Sequence, residues 1–126
     1  MTLVLDAGAL IAVERNDRAM WRRLKSMLLR NEVPLTHGGI IGQAWRGRGP
    51  RGALLAVALA SIDVRSLDGD LGKRSGELLA RAKKSDVIDA ALVLLSADGD
   101  VIATSDPDDL APLARTAGRL VDLLPV

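Results

Sequence analysis

MTLVLDAGAL, residues 1–10, runs a strand former straight into a carboxylate. Thr2 to Leu5 read as a buried strand, Asp6 ends it, and small and apolar residues follow from Ala7. A buried, unpaired charge is costly, so Asp6 must either cap the next helix or hold something positive.

Outward from this start the chain alternates. Apolar spacing predicts helices over Ala9–Val13 and over Asn16 to about Asn31, then a short strand at Val33-Pro34-Leu35-Thr36. His37 to Arg46 has helical spacing, and Gly47 to Gly52 (GRGPRG) reads as a loop. A helix follows at Leu54–Ala60, a strand at Ile62–Arg65, and helices at Leu67–Ala82 and Asp86–Ala97. Val101–Thr104 is a strand, Pro107–Thr116 a helix and Leu120–Leu123 a last strand. Short strands alternating with helices predict an α/β fold, a three-layer α/β/α sandwich around a central parallel sheet. With 126 residues and no linker or repeat, a single domain over 1–126 is expected.

Charge is unevenly spread. Between Arg15 and Arg51 there are nine basic and two acidic residues, a local +7 in a chain whose net charge is +1. From Asp98 onward there are six Asp against two Arg. Such halves suit phosphates on one side and cations on the other, although solvated surface explains both equally well. The absence of cysteine excludes thiolate metal sites. No secretory signal is visible and no apolar run approaches the length needed to cross a bilayer, so a cytoplasmic protein without membrane contact is expected.

Each acid has an innocent reading. Asp6, Asp86 and Asp106 all stand where a helix cap would, and SDPDDL (105–110) is close to an ideal helix start, with Pro107 in the first helical position. Asp89 resists that reading. It sits one turn into a helix otherwise made of Val87, Ile88, Ala90 and their apolar successors, on the same face as Asp86. A strand-end Asp, a helix-borne pair and a second strand-end Asp together point to a hard cation such as magnesium or manganese, which prefers oxygen ligands. His37, the only histidine, reads as a cap or surface residue, and Trp21 and Trp45 as helix-packing residues.

LVLDAGALIA (3–12), IIGQAWRG (40–47), SDVIDAALVLLSA (85–97) and VIATSDPDDL (101–110) resemble the four acidic motifs of PIN-domain ribonucleases, and more narrowly those of VapC toxins of toxin–antitoxin pairs. The resemblance covers essentially the whole chain. It implies a Mg/Mn-dependent endoribonuclease that hydrolyses RNA phosphodiester bonds, leaving a 5′-phosphate and a 3′-hydroxyl, and is inhibited by a cognate antitoxin. Homodimerisation and a folded RNA substrate such as tRNA are further expectations. Asp6, Asp89 and Asp106 take the metal-binding positions, Asp86 and Gln43 would orient water, and Asp109 matches an additional acid. Arg15, Arg46, Arg48 and Arg51, with Arg18, Arg22, Arg23 and Lys25 nearby, would grip the RNA backbone without choosing sequence.

Gln43 departs from the pattern, because the family has Glu there. A neutral amide brings no charge, so the alternative expectation is a catalytically weakened PIN domain acting as a binding or regulatory partner. A receiver-like phosphoacceptor domain fits poorly, since no acidic pair follows the first strand and no Lys follows Lys84.

Overall fold

A computed structural model describes residues 1–126. Its five strands are β1 (Leu3–Leu5), β2 (Leu35–His37), β3 (Asp63–Arg65), β4 (Val101–Thr104) and β5 (Asp122–Pro125). They form one parallel sheet in the order β3-β2-β1-β4-β5. The seven helices are α1 (Ala7–Glu14), α2 (Arg18–Leu29), α3 (Gly38–Ala44), α4 (Gly49–Leu59), α5 (Gly69–Ala82), α6 (Val87–Leu95) and α7 (Pro107–Ala117). They fall into two packed groups, α1 with α2, α3 and α4, and α5 with α6 and α7. The α/β fold is the expected one, and the physical reason is burial: β1, flanked on both sides, is apolar at every position and entirely buried. Leu5, Leu10, Ile40, Leu92 and Ile102 are fully enclosed in the core between sheet and helices.

Several boundaries differ from expectation. GRGPRG is not a loop throughout: α4 begins at Gly49, with Pro50 in its first turn, where the missing amide hydrogen costs nothing. The second strand starts after Pro34 and runs through His37, so the imidazole belongs to the strand end. The last strand lies at Asp122–Pro125 rather than Leu120–Leu123, because Gly118 closes α7 in a left-handed conformation and the chain then needs three residues to turn back. The amide of Val126 donates to Thr104 and that of Asp122 to Asp100, so alternation leaves Leu123 and Pro125 facing the open edge. A proline there blunts the edge against strand addition.

Candidate active site

The strand order reverses direction at β1, whose neighbours are β2, next in the chain, and β4, far along it. Open parallel sheets place their sites just beyond the carboxyl ends of strands at such a point. Asp6 follows β1 there and Asp106 comes two residues after β4, while the amide of Asp6 donates to the carbonyl of Ala103, 3.1 Å away, pinning the two strand ends together. Gly8 allows this closeness, since a Cβ at residue 8 would collide with Ser105.

Asp6 is buried and does cap α1, accepting the amide of Ala9 at 2.9 Å. Burial raises its pKa; the Thr104 hydroxyl and the amides of Ala9 and Ser105 pull the other way, and the charge of Asp106 pushes it up again. Asp86 caps α6, accepting the amides of Ile88 at 2.9 Å and Asp89 at 3.1 Å. Asp106 differs from the capping expectation. It occupies the cap position of α7, yet its carboxylate makes no capping bond; instead its own amide donates to the Thr104 hydroxyl at 2.8 Å. The exposed Asp106 carboxylate is left free of capping duty.

Asp89 is half-buried in the first turn of α6. Its pKa is pushed up to about 6 from 3.8, first by burial and then by the charges of Asp86, Asp6, Asp109 and Asp106, in that order. Acids from the end of β1, the start of α6 and the start of α7 therefore act on one carboxyl group. Asp86, Asp89 and Asp109 line a small cavity of about 160 Å³ together with Lys84. No three acidic or histidine side chains, however, are grouped closely enough to grip one metal ion by themselves.

His37 is completely buried, not a surface residue. Its Nδ1 accepts the amide of Gly39 at 3.1 Å, capping α3, which leaves Nε2 carrying the proton that it donates to the carbonyl of Ile88 at 2.9 Å. Burial lowers its pKa, the Ile88 carbonyl opposing, so the ring is held neutral with both nitrogens used. It is available to no metal.

The basic residues expected to grip RNA lie elsewhere. Arg15 closes the end of α1 opposite to Asp6, about 13 Å of helical rise away. Arg46 donates to the carbonyls of Gly42 and Trp45, and Arg48 and Arg51 begin α4. None of the four lines the acid-walled cavity, and neither does Gln43, which is exposed in the last turn of α3. The base that does is Lys84, which the sequence reading passed over although it stands two residues before Asp86. Trp21 packs as expected, its indole donating to the carbonyl of Val13, whereas Trp45, just past the end of α3, is 39% exposed.

No protein-family model matches the chain, and no curated protein matches it. Among solved structures it is similar to a chain of VapBC2 from Rickettsia felis, crystallised bound to a DNA fragment from their promoter, with a TM-score of 0.68 and 10% identity over 98% of each chain. At that identity the likeness concerns architecture. The chain has a PIN-like α/β fold, shared over nearly its whole length with that VapBC2 chain.

Proposed function

We propose that this protein is a toxin-type endoribonuclease that uses magnesium or manganese to hydrolyse RNA phosphodiester bonds, and that a cognate antitoxin restrains it. The observation that carries this reading is that Asp86, Asp89 and Asp109 line one cavity, with Asp6 and Asp106 following the strand ends at the switch point of the sheet and adding like charge to Asp89. The donors are all carboxylate oxygens, which suits a hard cation. Because no three of them meet, the fitting ion is one that takes one or two carboxylates and fills its remaining positions with water and substrate phosphate, as magnesium does. Asp89 and Asp106, neither of which caps a helix through its side chain, are the residues most free to hold it.

A divalent ion held there supplies Lewis acidity for attack on phosphorus and offsets charge on the phosphoryl oxygens. The chain's own residues do the rest. Asp86, exposed beside Asp89, can accept a hydrogen bond from the attacking water. Water adds to phosphorus, the bond to the 3′-oxygen breaks, and the products are a 3′-hydroxyl and a 5′-phosphate. Lys84 on the rim offers an ammonium to a neighbouring phosphate. No side-chain nucleophile is required, and none is activated, because His37 is fully engaged.

The test is cleavage of total tRNA and of an unstructured RNA by the purified protein in manganese, against EDTA and against Asp89→Asn and Asp106→Asn. Metal-dependent cutting lost in both variants is expected; cutting that persists unchanged in either would remove the proposal.

The neutral Gln43 favours a second reading, a PIN-like domain with weakened catalysis that acts through binding. Gln43→Glu separates the two: a gain of about tenfold or more in manganese affinity and cleavage favours the weakened form. Little change favours the active nuclease, with Gln43 exposed and away from the acid-lined cavity.

A further inference from the structure

The largest cavity of the molecule, about 470 Å³, is not at the carboxylates but between α2 and the sheet. Leu3, Val101 and Asp122, which line it, are the first residues of β1, β4 and β5, whereas Asp6 and Asp106 follow the last residues of β1 and β4. The groove is thus separate from the candidate active site. Its floor is apolar, made by Leu3, Met27, Val101 and Leu123. Its wall is basic: Arg22 and Arg23 stand on α2 and Arg30 follows its last residue.

These three guanidiniums have no carboxylate partner in the fold. The ion pairs of the molecule are Arg65 with Asp63 and Arg74 with Asp70, and Asp122, the one acid on the groove, forms none. Arg30 lies over the groove floor, its Nη2 3.3 Å from the sulfur of Met27. Guanidiniums arranged around an apolar floor want carboxylates around an apolar side chain. The adjoining edge of β5 ends in Pro125, which discourages an added strand, so the occupant binds through side chains, as a short amphipathic helix does.

We propose that this groove docks an acidic amphipathic helical segment of a partner protein, with apolar residues on the Leu3–Leu123 floor and Asp or Glu on Arg22, Arg23 and Arg30. An RNA strand fits less well, because it would lay its phosphates on the arginines and leave the aliphatic floor wet. The inference is independent of the nuclease reading.

The experiment uses the full chain and three helical peptides of about twelve residues, identical in their leucine face and differing in the polar face as all Glu, all Gln or all Lys. Binding is read by fluorescence anisotropy and mapped by NMR shifts. The Glu peptide should bind about tenfold or more tighter than the Gln peptide, with shifts at Leu3, Met27 and Leu123, and weaken with salt. Arg22→Glu with Arg30→Glu should abolish that preference and confer it on the Lys peptide, which a merely unfolded variant could not do. Equal binding of the three peptides, no binding of any, shifts away from the groove, or displacement of the Glu peptide by an equal amount of single-stranded RNA would each overturn the proposal. So would self-association of the chain through this face.

Discussion

The imidazole of His37 donates to the backbone carbonyl of Ile88 at 2.9 Å, so the end of β2 holds the turn of α6 that presents Asp89. The ring does this while fully buried and while capping α3, and a smaller residue would leave the Gly39 amide and the Ile88 carbonyl unpaired next to a void. His37→Ala should therefore destabilise the protein by about 2–4 kcal/mol, measured by urea denaturation. Manganese affinity should fall with it even where the variant remains folded, because Asp89 loses its support.

Asp89 should give stability a downward slope with pH. Its folded pKa of about 6 lies above the ordinary 3.8, so between those values the folded chain keeps a proton that the unfolded chain has released. Stability then falls as pH rises through that window, by about 1–2 kcal/mol once solvent screening of the half-exposed group is counted. The raised Asp6 acts with the same sign, and His37, lowered from 6.5, with the opposite one. Denaturation curves in EDTA for wild type and Asp89→Asn isolate the contribution: the variant should lack this part of the slope. With manganese present the direction reverses for binding, which should strengthen as Asp89 loses its proton.

Two carboxylates with the same cap position should behave differently when removed. Asp86 accepts two amides of α6, so Asp86→Ala should cost about 1 kcal/mol. Asp106 accepts none, so Asp106→Ala should change stability by less than about 0.5 kcal/mol. Thermal melting checks both, and a large loss for Asp106→Ala would contradict its freedom from capping.

Gly8 is held against the turn that carries Ser105 and Asp106. A Cβ at residue 8 would meet the Ser105 side chain and lie 3.0 Å from its backbone nitrogen. Gly8→Ala should cost about 1–3 kcal/mol through overpacking. Because the nearest atoms belong to the serine side chain, Ser105→Gly should recover part of that loss, a non-additive pair readable in a double-mutant cycle.

The alternation of strands and helices was legible because each short strand is apolar and each long helix amphipathic or buried, and Leu3–Leu5 alone announces a central position. Asp89 was legible as an anomaly, a charge in an apolar helix, and its neighbours do load it with like charge. Other features were not. Asp106 carries every local sign of a cap, yet the amide of Asp109 that its carboxylate would take goes to its backbone carbonyl instead, a choice visible only in three dimensions. His37 looked unremarkable because its partner Ile88 lies 51 residues away. Arg15 seemed near Asp6 in sequence, but a helix between them carries it off. Gly49 and Pro50 read as a loop because their helix begins on the residues that usually end one.

Asp6 is synthesised well before the acids that gather round it, and the strand beside it, β4, is completed only at Thr104. A nascent chain that has emerged only through α5 has neither Asp89 nor Asp106 to set against it. The acids that load Asp89 with like charge thus come together only after the start of α7 has been made, so assembly of this pocket is a late event in folding.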